Sequence, residues 1–249
     1  MKRMAVLAAA ILILSVGAFA EGTSEPDALT LSGVDSITVR AGTVDVQVRG
    51  TNGYDVIVKA DLPQSLWSDS GYKIVHERRG SHLNIWVQSD SPFGVTRGGK
   101  LRFEVPRDVV VQVQTLSGSI SVEDLESESC TLSAVSGLVT VRNTNSRLSL
   151  DNVTGSIVLD STDGSLRVKT VSGSIEARRL ALTGNSSFSS VSGSVNVRLD
   201  LPLDDFRFDL STVSGRLIVG DIRAEKGLRM GDGDILIQAH TVSGALLFR

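Results

Sequence analysis

Thr170-Val171-Ser172-Gly173-Ser174-Ile175 is the clearest copy of a motif that returns through the second half of the chain. Its relatives are Thr115-Leu116-Ser117-Gly118-Ser119-Ile120, Ala134-Val135-Ser136-Gly137-Leu138-Val139, Asn152-Val153-Thr154-Gly155-Ser156-Ile157 and Ser190-Val191-Ser192-Gly193-Ser194-Val195. Thr212-Val213-Ser214-Gly215 and Thr241-Val242-Ser243-Gly244 complete the set. Successive glycines lie 19, 18, 18, 20, 22 and 29 residues apart. Repetition at such a period is the mark of a stack of identical units, each too small to bury its own apolar face alone.

The residues around each glycine alternate. Two and four places after it they are apolar, as in Ile120 and Val122, Val139 and Val141, Ile157 and Leu159, or Val195 and Val197. Seven, five and two places before it they are apolar again, as in Leu148, Leu150 and Val153, or Leu166, Val168 and Val171, with Ser186 as the exception. Period-two alternation puts one face of a strand into a core. Each unit therefore reads as a strand, a corner at Ser/Thr-Gly, and a second strand, with the valine before the corner expected inside. Gly118, Gly137, Gly155, Gly173, Gly193, Gly215 and Gly244 are the corner glycines, suited to backbone that a side chain disfavours. The fold class this predicts is all-β: a parallel β-helix or β-solenoid of about 18–22 residues per coil, with coils stacked ~4.8 Å apart. The crossover rule makes it right-handed. A β-sandwich would instead need hairpin turns between most of its strands.

The ends bound the location. Lys2 and Arg3, the apolar run Met4 to Val16, and Ala18-Phe19-Ala20 form a secretory signal peptide over 1–20 with cleavage after Ala20, and 21–28 reads as a short flexible linker. The expectation is export to the periplasm, the cell surface or the medium, with no integral membrane segment after processing. Leaving out Lys2 and Arg3, 23 Lys and Arg face 28 Asp and Glu, a formal charge of −5 that argues against nucleic acid as a partner. Cys130 is the single cysteine, so no intrachain disulfide forms, and its place in the alternation predicts a buried, inert thiol.

Residues 29–114 form a less regular β part in which Asp35-Ala41, Thr43-Arg49, Tyr54-Ala60, Tyr72-Arg78, His82-Gln88, Leu101-Val105 and Val109-Val113 alternate. Both tryptophans and both tyrosines, Trp67, Trp86, Tyr54 and Tyr72, lie in it. It is expected to start and cap the regular repeats of 115–249, continuous with them as one elongated domain.

A leader, irregular alternating strands, the apolar strand Leu101-Arg102-Phe103-Glu104-Val105 closed by Pro106, and serial Val-Ser-Gly-Ser-Ile coils together resemble the bacterial putative-adhesin domain family of unknown function. The resemblance covers the mature chain and implies an exported or envelope-associated β-solenoid. It carries over no catalytic residue.

The residues offer no catalytic, cofactor or metal site. His76, His82 and His240 lack metal-ligand spacing, and Gly231-Asp232-Gly233-Asp234 is one copy of a pattern that needs tandem copies to hold calcium. The column Ser117, Ser136, Thr154, Ser172, Ser192, Ser214 and Ser243 has no recurring base beside it and reads as a hydrogen-bonded corner ladder. Arg142, Arg167, Lys169, Arg178, Arg179 and Arg198 are a candidate basic stripe for acidic polysaccharide. The alternative is that these charges keep a sheet surface from pairing with other molecules. The end Ala245-Leu246-Leu247-Phe248-Arg249 carries no polar cap, which suggests self-association through the C-terminal strand. The expected function is a non-enzymatic adhesin or envelope scaffold whose partner is envelope polysaccharide or another envelope protein. The competing readings are a polysaccharide lyase or hydrolase, which needs clustered acids and aromatic platforms, and an envelope sensor or accessory protein.

Overall fold

The computed structural model describes residues 11–14, 28–62, 72–89 and 98–249. Most of the leader and linker, the cleavage site after Ala20, and Trp67 lie outside them. The strands begin with β1 (Ile11–Leu14), β2 (Leu29–Ser32), β3 (Ser36–Gly42), β4 (Asp45–Thr51), β5 (Asp55–Asp61), β6 (Tyr72–Arg79), β7 (His82–Ser89) and β8 (Lys100–Pro106). They continue with β9 (Val110–Thr115), β10 (Ile120–Glu123), β11 (Glu126–Ser136), β12 (Val139–Thr154), β13 (Ile157–Gly164), β14 (Leu166–Ser172), β15 (Ile175–Leu182), β16 (Ser186–Ser192) and β17 (Val195–Leu199). The last are β18 (Phe206–Ser214), β19 (Leu217–Val219), β20 (Ile222–Ala224), β21 (Gly227–Met230), β22 (Ile235–Ser243) and β23 (Leu246–Phe248). One short 3-10 turn, Leu203–Asp205, is the sole helical element among the described residues.

These strands wind as a β-solenoid with a long side, a short side and a brief third side. On the long side the strands before each corner pair in parallel: β7, β3, β9, β11, the second half of β12, β14, β16, β22 and β18. On the short side β8, β4, β10, the first half of β12, β13, β15, β17, β23 and β19 do the same. The third side is seen in the pairing of Thr144 with Thr162 and of Thr162 with Leu180. Phe188 and Phe208 from the long side meet Phe248 from the short side at ring-centre distances of 6.0 and 5.6 Å, so the sides share one core.

Spatial order departs from chain order at both ends. The coil β3–β4 sits between β7–β8 and β9–β10. The C-terminal coil β22–β23 is inserted between β16–β17 and β18–β19. Each outermost coil is then closed by antiparallel strands: β6 on β7 and β5 on β8 at one end, β21 on β18 and β20 on β19 at the other. These antiparallel strands, of which β6–β7 and β19–β20 are hairpins, cover edges that would otherwise template pairing with other chains. Two expectations change. The N-terminal part supplies two full coils as well as a cap, and the boundary at 114 falls inside β9. The C-terminal strand is not bare: β23 is paired along both edges, so self-association cannot use it as an open edge. The unit that ends the stack is β18–β19 with its two antiparallel strands.

Ile11–Leu14, inside the expected leader, pairs antiparallel with β6. Cleavage after Ala20 would remove this strand and open that edge of β6 in the mature protein.

The corner explains the glycines more sharply than conformational freedom does. A Cβ on Gly173 would stand 1.9 Å from the carbonyl oxygen of Gly155, and one on Gly244 would stand 2.1 Å from that of Gly193. Stacked coils touch backbone to backbone here, and no side chain fits. The residue three places before each glycine points inward and is small: Thr115, Ala134, Asn152, Thr170, Ser190, Thr212 and Thr241 are all buried. Several of these tie the corner. Thr115 donates to the Gly118 carbonyl at 2.9 Å and Asn152 to the Gly137 carbonyl at 3.0 Å.

Alternation therefore runs on to this small residue, and the valine that follows faces outward. Val135, Val153, Val171 and Val191 are 44–49% exposed, and Leu116 and Val213 still more so. The expectation that these valines are buried is overturned. The two sides converge at the corner and leave room inside only for Thr, Ser, Ala or Asn. A β-branched residue suits the extended backbone at this position. The Ser/Thr column beside it is also exposed.

Candidate functional site

The expected basic stripe divides between two sides of the solenoid. Arg142, Arg178, Arg179 and Arg198 belong to the short side and its far corner. There Arg142 pairs with Glu123 at 3.3 Å, Arg178 with Glu176 at 2.5 Å and Arg179 with Asp160 at 2.6 Å. Asp124, Asn143, Ser161 and Arg179 share this corner in left-handed backbone, with φ of 62°, 47°, 52° and 53°. Asn143 donates to Asp124 at 2.6 Å, and that bond is the main cause holding the Asp124 carboxyl below its usual range, against a smaller opposing effect of desolvation. This ladder of alternating sign is largely self-neutralised, and exposed pairs of this kind add little stability.

Arg167 and Lys169 stand instead on the outer face of the long side. Strand register places Arg167 between Ser149 and Ser187, and Lys169 between Asp151 and Ser189. Arg147, which the repeat pattern did not single out, joins them at the mouth of a shallow cleft of about 420 Å3 also lined by Asn185, Ser187 and Gln238. Among the described residues none of Arg147, Arg167 and Lys169 has an acidic partner within ion-pair distance, whereas Arg229 on the same side pairs with Asp209 at 3.2 Å. The cleft continues into a second one, of about 350 Å3, between Lys169, Ser189, Ser211 and His240. On β9, β11 and the second half of β12 the outward positions of this side include Gln112, Gln114, Thr131, Ser133 and Ser149, and the Asp151 carboxylate, which stands beside Lys169 in register.

The histidines are dispersed. His82 Nδ1 shares a hydrogen bond with Ser36 Oγ at 2.7 Å, and its Nε2 lies 3.1 Å from Asn84 Oδ1. The order Ser-His-Asn superficially suggests a nucleophile and its base. The three side chains lie side by side on the paired strands β3 and β7, joined as a cross-strand hydrogen-bond chain. His240 shares a similar cross-strand bond with Ser211 at 2.9 Å. His76 points into the core under β6, where desolvation lowers its pKa. Among the described residues no three His, Cys, Asp or Glu side chains come together as metal ligands. Gly231 and Gly233 are packed against the backbone of Phe206 and Asp205 in the turn that enters β22. Cys130 is fully buried, and burial pushes its thiol up to about 12.

Among the described residues no helix is long and apolar enough to cross a membrane. No curated protein matches the chain. Solved structures similar to it include a putative cell adhesion protein from Clostridium sporogenes, 8% identical, with 90% of this chain and 99% of that one covered at a TM-score of 0.46. A putative lipid binding protein from Parabacteroides distasonis is 14% identical, with 92% and 98% covered at a TM-score of 0.49. A putative adhesin from the same organism is 14% identical, with 90% and 95% covered at a TM-score of 0.48. The profile of the family described as Toastrack DUF4097 matches residues 96–229, more than half of the chain and most of its regular coils, and the chain belongs to that family.

Proposed function

We propose that this protein is exported to the bacterial envelope and binds acidic polysaccharide there, as an adhesin-like protein that catalyses no reaction on it. The observation that carries the reading is the outer face of the long side. Three cations with no ion-pair partner among the described residues, Arg147, Arg167 and Lys169, stand among Ser, Asn and Gln side chains in two adjoining clefts, the second of which is also lined by Asp209 and His240. Coils repeat along that face every ~4.8 Å, so hydrogen-bonding groups recur at a spacing that suits an extended, repetitive ligand. Cations without protein partners are free to meet carboxylates of a polymer, and the flat shape suits adhesion along its length.

The test is retention of the processed protein on immobilised polygalacturonate. Arg147→Glu combined with Arg167→Glu is expected to lower retention at least tenfold, and added salt to weaken the wild-type interaction. Arg142→Glu combined with Arg178→Glu, on the short side, is expected to leave retention unchanged. Equal loss in both pairs, or none in either, contradicts the reading.

A further inference from the structure

The N-terminal end of the same outer face differs chemically from the regular coils, because an aromatic ring stands on it. In β7, Leu83 and Ile85 point into the core, so Asn84 and Trp86 point out. Register sets Trp86 between Val75 of β6 and Arg40 of β3, and Asn84 between Glu77 and Thr38. Together Trp86, Asn84, Arg40, Thr38, Glu77 and Arg79 line a concavity of about 400 Å3.

Most of these groups are held in place by one another. Arg79 donates to the Glu77 carboxylate at 2.9 Å. Asn84 is tied to His82 at 3.1 Å, and His82 in turn to Ser36 at 2.7 Å and to Thr38 at 3.3 Å. Arg40 is exposed and, among the described residues, has no acidic partner within ion-pair distance. A polar array fixed before a ligand arrives loses little side-chain freedom on binding.

We infer that this concavity is a saccharide subsite that holds one pyranose ring bearing a carboxylate. The indole of Trp86 offers its face to the apolar C–H face of the ring. Asn84 and Glu77 meet its hydroxyls, and Arg40 meets the carboxylate in a charge-assisted hydrogen bond. Stacking orients the sugar and the guanidinium selects an acidic one over a neutral one. The inference rests on the polysaccharide reading of this face and adds to it a ring-recognising end about five strands from Arg167.

The experiment titrates the processed protein with a tetramer of galacturonic acid and with the matched neutral galactose tetramer, by calorimetry and tryptophan emission. Saturable binding of the acidic tetramer, at least tenfold tighter than the neutral one, is expected. Trp86→Ala is expected to abolish it, and Arg40→Gln, an exposed change that leaves the core intact, to weaken the acidic tetramer at least tenfold. Arg147→Glu with Arg167→Glu is expected to spare tetramer binding while losing polymer retention. Tetramer binding that survives Trp86→Ala, or polymer retention without any tetramer binding, overturns the subsite and leaves the wider face standing. Tetramer binding lost only on Trp86→Ala, with polymer retention indifferent to Arg147 and Arg167, supports the subsite and removes the wider face.

Discussion

Replacing Gly173 with alanine places a methyl carbon 1.9 Å from the carbonyl oxygen of Gly155 in the neighbouring coil. Ordinary contact needs roughly 3.5 Å, so the two coils must part by about 1.5 Å at a corner where backbone meets backbone. Two hydrogen bonds cross this seam: Gly155 N–H to Ser172 O at 3.0 Å and Ile157 N–H to Ser174 O at 2.9 Å. Stretching them beyond range costs roughly 1–1.5 kcal/mol each, and more where a group is left buried without a partner. The expected loss is about 2–4 kcal/mol. Two further glycines separate close approach from conformational strain. Gly42 has φ +59° but nothing within 4 Å of its would-be Cβ, so Gly42→Ala should cost about 1–2 kcal/mol from backbone strain alone. Gly227 has its nearest neighbour at 4.0 Å and no positive φ, so Gly227→Ala should be nearly neutral. Urea unfolding followed by far-UV circular dichroism measures all three. A Gly173→Ala loss no larger than that of Gly42→Ala refutes the close-contact argument.

The valines of the repeat give a paired test. Val168 is fully buried and Val171 is 49% exposed, so Val168→Thr should lower stability by about 1–3 kcal/mol while Val171→Thr stays within about 0.5 kcal/mol of the parent. Equal effects contradict the outward placement. Cys130, buried with its thiol pushed up to about 12, should resist iodoacetamide at pH 8 in the native protein and react once unfolded in denaturant. Asn143→Ala removes the main cause of the lowered Asp124 pKa and should raise it in a carbon-detected NMR titration. Because the folded pKa is depressed, the stability this bond adds is present above the ordinary value of 3.8 and is lost as pH falls through the folded value. The gap between variant and parent should therefore narrow as pH falls without closing, because alanine at the left-handed φ of 47° costs stability at every pH.

Strand positions and corners were legible because burial on the two main sides follows a period of two, as in Leu148 and Leu150 or Ile157 and Leu159. The same rule would have placed Val153 outside. Reading apolar character as burial hid this, since the inward corner site is filled by Asn152, a polar residue small enough to fit. Coil order was not legible. The long gap between Gly215 and Gly244 hinted at inserted strands, but that β22 pairs with β16 rather than following β18 outward is decided by which edge the antiparallel β20 and β21 close. Local alternation could not say that Arg142 meets Glu123 across coils while Arg167 faces Ser149 and Ser187, because cross-coil register sets those neighbours. Trp86 was within reach, since Leu83 and Ile85 inside require Asn84 and Trp86 outside.

If the outer face of the long side is the binding face, as proposed, a ligand must perturb that face before any other. Backbone amide shifts of the isotope-labelled, processed protein, followed by NMR as an oligogalacturonate is added, test it most directly. The perturbed residues should cluster on Arg147, Arg167, Lys169, Ser187 and Gln238, and on Asn84 and Trp86 at the N-terminal end. Shifts confined to the short-side residues Arg142, Asp160 and Arg178, or to the exposed valines of the corner, would contradict it.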